Sequence, residues 1–100
     1  MKKKPHFKAT ITYFKTDEGG IVTPVSTGFR STVKFPYDNA DYLAHQTFLE
    51  QEIVFPGDTT SAEITLLDGK ERLEKLYKGL GFDLLISSDL IATGVITDIL

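Results

Sequence analysis

Residues 18–30 read Glu-Gly-Gly-Ile-Val-Thr-Pro-Val-Ser-Thr-Gly-Phe-Arg, and this stretch decides which fold the chain is expected to adopt. The paired glycines at positions 19–20 supply the backbone freedom that a turn needs. Pro24 biases Thr23 toward extended geometry, so the chain leaves the turn stretched out. Alternating apolar and polar residues lie on both sides, which predicts two strands joined through this stretch.

The alternation continues along much of the chain and predicts an all-β protein. The clearest example is residues 7–13, where Phe7, Ala9, Ile11 and Tyr13 fall on one face. Short strands at close spacing are typical of a sandwich or a closed barrel, and closure is favoured because it removes exposed edges. The six predicted strands are residues 7–13, 29–35, 49–55, 59–67, 82–87 and 91–100.

The predicted connections carry their own signals. Residues 36–46 are polar and irregular, which predicts a loop with room for a short strand or turn. The sequences at 56–58 (Pro-Gly-Asp) and 87–89 (Ser-Ser-Asp) indicate turns. Gly94 stands inside the last predicted strand and indicates a bulge or a close backbone approach.

One segment changes from the strand period to the helix period. Residues 69–78 are predicted as a short helix, with a capping box at Asp68 and Glu71 and glycines at 79 and 81 after its end. Its apolar stripe consists of Leu73, Leu76, Tyr77 and Leu80.

Length and composition limit the class of protein. A chain of 100 residues predicts a single domain, here a barrel over residues 6–100. Residues 1–5 are polar, which predicts a flexible N-terminus. The net charge of −3 argues against nucleic-acid binding, since phosphate contacts need a basic face. The absence of cysteine excludes disulfides and is consistent with a cytoplasmic location. The sequence contains no run of about 20 apolar residues, so no membrane-spanning helix is predicted.

Four segments, taken in order, resemble the C-terminal barrel domain of elongation factor Tu and elongation factor 1-alpha. They cover about residues 7–100 and are residues 14–30, Phe55-Pro56-Gly57-Asp58, Gly79-Leu80 with Phe82, and Thr93-Gly94-Val95-Ile96-Thr97-Asp98-Ile99-Leu100. The resemblance implies a small closed antiparallel barrel of six strands with Greek-key-like connections. In the family this barrel packs against a second barrel and a GTPase domain, contacts the T-stem of aminoacyl-tRNA, and receives the bacterial exchange factor.

The chain departs from this family at three places. No phosphate loop of the Gly-x-x-x-x-Gly-Lys-Ser/Thr type is present, so the resemblance does not extend to GTP binding. Ile21 replaces an arginine that follows the paired glycines, and residues 87–89 replace a basic, glycine-rich turn. Both replacements argue against tRNA binding. The predicted 69–78 helix has the character of an insertion that covers an end or a face of the barrel.

The candidate binding surface is the outer face of the second predicted strand, formed by Arg30, Thr32 and Lys34. It has two interpretations: a small anion or RNA patch, since Arg30 matches a family arginine, or an ordinary exposed strand face. His6 and His45 have no ligand partners at metal-binding spacing, and no serine lies in a nucleophile elbow.

The sequence therefore predicts a protein that is not an enzyme and has no catalytic residues, cofactor or metal. The predicted function is a non-catalytic protein-interaction module resembling the C-terminal domain of elongation factor Tu, with a protein partner or self-association. The alternative is a translation-associated RNA- or tRNA-binding factor, which requires a contiguous positive face that includes Arg30 and Lys34.

Overall fold

A computed structural model of the protein describes residues 5–18, 23–37, 40–67 and 75–100. Its regular structure is almost entirely β. The strands are β1 (Phe7–Tyr13), β2 (Val25–Ser26), β3 (Arg30–Lys34), β4 (Asp41–Phe48), β5 (Ile53–Val54), β6 (Thr59–Leu66), β7 (Gly81–Ile86) and β8 (Asp89–Ile99), with a 3-10 turn at Thr16–Glu18.

Six of these strands form a closed antiparallel barrel in the order β1-β6-β4-β3-β7-β8, and β8 pairs with β1 to complete the circle. This arrangement confirms the predicted all-β, six-stranded barrel. The two short strands β2 and β5 pair only with each other and form a separate two-stranded sheet.

Side-chain alternation places the core inside the barrel. On β1, Phe7, Ala9, Ile11 and Tyr13 are buried, as their spacing predicts. Burying such apolar side chains is the main favourable term in folding. The rings of Phe7 and Phe82 meet edge to face, with their centroids 5.7 Å apart, so aromatic packing links β1 to β7.

The predicted loop at 36–46 is wrong from residue 41 onward, and the predicted strand at 49–55 is wrong outside residues 53–54. The third barrel strand along the chain is β4, Asp41–Phe48, and only Ile53–Val54 of the predicted strand is in a β-strand. Alternation in β4 is disguised because the inward-facing position 46 carries a polar residue, Gln46. The number of barrel strands was therefore right, but one of them was assigned to the wrong segment.

Buried hydrogen bonds explain how Gln46 is tolerated in the core. Its Oε1 accepts a bond from the Tyr13 hydroxyl, and its Nε2 donates to Ser31 Oγ at 2.7 Å. Burial also raises the pKa of Tyr13 above its usual range, because the phenolate would lose its hydration. These three side chains connect β1, β4 and β3 through the interior.

The helix prediction at 69–78 falls largely outside the described residues, as do the capping-box positions. Its described part, residues 75–78, contains no α-helix, so the prediction is wrong there. Gly79 has a positive φ of 92° and lies in a turn that leads into β7. Among the described residues, no helix is long and apolar enough to cross a bilayer.

Two turn predictions and the Gly94 prediction are confirmed. Ser87 and Ser88 form a two-residue hairpin loop with φ values of 50° and 73°, so Asp89 already belongs to β8. At the 56–58 turn, the Phe55 N–H donates to the Asp58 carboxylate at 3.0 Å. A Cβ at position 94 would overlap the ring of Phe82, so glycine is needed for this close approach. The paired glycines 19–20 and Ile21 lie outside the described residues.

Candidate functional site

The three predicted site residues lie together on the outer side of β3. Arg30, Thr32 and Lys34 alternate with Ser31 and Val33, which point into the barrel and are buried. The period of the strand thus places the predicted trio on one face. The pairing of β3 with β4 and β7 decides what surrounds them.

Lys34 lies between two carboxylates. In the register of the sheet it is directly opposite Asp41 on β4 and Asp83 on β7. Directly opposed residues on neighbouring strands have Cβ atoms about 5 Å apart, so their charges interact. These three residues, which we call the acidic row, carry one net negative charge, and Lys34 does not contribute a positive patch.

The same arrangement is repeated on another wall of the barrel. Lys8 on β1 is directly opposite Glu63 on β6 and Asp98 on β8. Asp98 also forms an ion pair with Lys78, with 3.6 Å between Lys78 Nζ and Asp98 Oδ1. Exposed pairs of this kind stabilise the fold by only about 0–1 kcal/mol, but they cancel the local field that would attract phosphate.

Thr32 lies in a row of leucines that crosses four strands. It is opposite Leu43 on β4 and Leu85 on β7, and Leu85 is opposite Leu90 on β8. Leu43 is 40% exposed and Leu90 is 39% exposed, while Leu85 is half-buried. These four residues form what we call the apolar row.

Sequence reasoning missed the apolar row for two different reasons. Leu43 lies within the predicted loop at 36–46, and a loop prediction gives no direction for its side chain. Leu85 is adjacent to the buried Leu84, and Leu90 to the buried Ile91, so both sides of these strands carry apolar residues. In a sheet with one solvent-facing side, outward positions are normally polar. Two adjacent apolar residues in such a strand therefore indicate that one of them is exposed.

Arg30 lies on the other side of the apolar row. Its partner in the register is His45 on β4, which is not acidic. No ion pair involves Arg30 within the described ranges. We call Arg30 and His45 the basic row. The outer face of β3 and its neighbours therefore has three parallel rows: basic, apolar and acidic.

An open groove adjoins this face where β3 ends. Its volume is about 650 Å³, and its floor includes Phe35, Leu80 and Phe82. Lys34 and Asp83 of the acidic row line the same groove. Apolar walls with two opposite charges can hold a side chain of a partner.

The described part of the chain contains no group of three His, Cys, Asp or Glu side chains able to hold a metal ion. His6 has a structural contact: its Nδ1 accepts a hydrogen bond from the Leu66 N–H at 2.9 Å. This bond fastens the residue before β1 to the end of β6.

Comparison with known proteins finds similarity to a translation factor. No family model matches the chain. Elongation factor Tu 2 of Streptomyces avermitilis is 31% identical to it over 93 residues, which is 93% of this chain and 22% of that protein. The chain thus spans 22% of the length of this relative. The match and the closed six-stranded barrel both fit the predicted resemblance to the C-terminal barrel of elongation factor Tu.

Proposed function

We propose that this chain is a non-catalytic protein-interaction module of the translation-factor type, acting in the cytoplasm through the outer face of β3 and its neighbours. The observation that carries the proposal is the apolar row, whose Leu43 and Leu90 are exposed and which lies beside charged outward positions on β3 and β4. The distant similarity to elongation factor Tu 2 supports the type of module.

The apolar row can supply binding free energy. Complete burial of a leucine side chain contributes about 1.5–3 kcal/mol, so covering the exposed fractions of Leu43 and Leu90 contributes about 1 kcal/mol each. Charged rows on both sides then fix the orientation of the partner, because complementary rims favour one register over others.

RNA binding is the rival proposal, and Arg30 is the feature that favours it. That rival needs Arg30 and Lys34 to act together as a positive face. Asp41 and Asp83, on either side of Lys34, work against this. The hairpin loop of Ser87 and Ser88 adds hydroxyl groups and no positive charge.

The test is affinity capture from RNase-treated native lysate with three forms of the chain: wild type, Leu43→Asp, and Ile99→Asp as the matched control. Ile99 is 47% exposed on β8, lies outside the three rows and does not line the groove. We expect a protein to be retained by wild type and Ile99→Asp and lost from Leu43→Asp.

A parallel measurement addresses RNA directly. Fluorescence anisotropy with labelled tRNA at low and high salt should show no binding by wild type. Tight tRNA binding that weakens steeply with salt and depends on Arg30, without capture of any protein, would contradict the proposal and support the rival.

A further inference from the structure

We infer that the partner of the three-row face is a second copy of this chain, joined to the first by twofold symmetry. This inference rests on the proposed function, because it assigns the occupant of the same surface. Its basis is the order of the rows: basic, apolar, acidic. A symmetric dimer uses the same patch on both copies, so the patch must be complementary to itself.

The order of the rows has this property for one placement of the axis. Consider a twofold axis that lies between the two copies and runs parallel to the apolar row, across the strands. The leucines of one copy then face the leucines of the other, and the strands of the two copies run in opposite directions. The basic row of each copy then lies over the acidic row of the other. Because of the symmetry, this favourable contact occurs twice.

The placement of Arg30 within that contact is also favourable. Without rotation it would lie over Lys34, the middle residue of the opposing acidic row. Packed sheets are normally rotated by about 30°, which displaces Arg30 by roughly 3–4 Å along the row. Either direction brings it toward a carboxylate, since Asp41 and Asp83 stand on the two sides of Lys34.

The alternative axis, parallel to the strands, is unfavourable. It would place each row over the same row of the other chain. Arg30 would then face Arg30, and the two acidic rows, each with a net negative charge, would face each other. Like charges that face each other across an interface repel, which destabilises a dimer with this axis. The charge pattern therefore selects the first axis and predicts antiparallel β3 strands across the interface.

The size of the face limits the strength of the dimer. The apolar row crosses four strands, a width of about 14 Å at the usual strand spacing, and three rows occupy about 14 Å along the strands. The barrel wall is convex, so the contact is concentrated on β4, β3 and β7. This is smaller than the roughly 800 Å² per partner of a standard interface, so we expect a weak dimer that dissociates on dilution.

The first experiment is sedimentation equilibrium of the purified chain up to about 1 mM, where a weak complex becomes populated. We expect reversible dimerisation by wild type and Ile99→Asp, and at least tenfold weaker association by Leu43→Asp. A monomer throughout this range overturns the inference. So does dimerisation that Leu43→Asp leaves unchanged, because the contact would then lie elsewhere.

The second experiment exchanges charges. Arg30→Glu makes the basic row acidic, and Asp83→Lys makes the acidic row basic, so each variant should self-associate about tenfold more weakly than wild type. Mixed with each other, the two variants should associate at least as well as wild type, because both contacts again join opposite charges. A mixture no stronger than the separate variants overturns the inference.

These results separate this inference from the proposed function. A chain that stays monomeric but captures another protein through Leu43 overturns only the dimer. Binding of tRNA through Arg30, with no protein contact, overturns both.

Discussion

Gln46 offers the sharpest test of how this barrel is held together. Its side chain is fully buried, accepts a bond from the Tyr13 hydroxyl and donates one to Ser31 Oγ. Gln46→Leu keeps a similar volume and removes both bonds. Two hydroxyl groups then remain inside the barrel with one fewer partner each.

The expected loss follows from the cost of stranding buried polar groups. Leaving one such group without its partner costs about 1–3 kcal/mol, so stranding two of them in Gln46→Leu should lower the free energy of unfolding by about 2–6 kcal/mol. That is a large part of the roughly 5–15 kcal/mol that stabilises a typical domain. Urea denaturation at neutral pH measures it directly.

The matched control removes all three polar groups together. The triple variant Tyr13→Phe/Ser31→Ala/Gln46→Leu removes every side-chain hydrogen-bonding atom that this cluster contains, so it should recover at least half of the loss. Refutation would come from a Gln46→Leu variant within about 0.5 kcal/mol of wild type, or from a triple variant less stable than the single one.

Three further outcomes follow from the structure. Gly94→Ala should cost about 1–3 kcal/mol in urea denaturation because its methyl overlaps the Phe82 ring, and adding Phe82→Leu should restore part of the loss; an unchanged midpoint would contradict the close approach. Ser87→Asn/Ser88→Gly should raise stability by about 1 kcal/mol, since positive φ at both positions suits Asn-Gly; a lower melting temperature would argue against this loop geometry. Burial raises the pKa of Tyr13, so the unfolded chain loses this proton first and stability should fall above about pH 10; thermal melts across that range should show a smaller fall for Tyr13→Phe, and equal slopes would contradict it.

The barrel was predictable from sequence wherever one face of a strand is purely apolar. Phe7, Ala9 and Ile11 show this directly, and turn residues such as Gly57 fixed the ends of the strands. Strand β4 could not be predicted because Gln46 occupies an inward position. Only the tertiary structure provides the Tyr13 and Ser31 partners that make a buried amide tolerable there.

The candidate site was predictable only in part, for a related reason. Alternation within β3 correctly places Arg30, Thr32 and Lys34 on one side. The neighbours across the strands determine the character of that side, and they come from β4 and β7. Without the register, Lys34 looks like a free cation, whereas the sheet places it between Asp41 and Asp83.

Nuclear magnetic resonance tests the central claim most directly, namely that the three-row face joins two copies of this chain. Amide chemical shifts of the labelled chain can be followed from about 50 μM to about 1 mM, the range in which weak dimers form. We predict progressive shifts for amides of β3, β4 and β7 around the apolar row, with the amides of β1 unaffected. Shifts that are independent of concentration, or that map to the wall around Lys8, would contradict it.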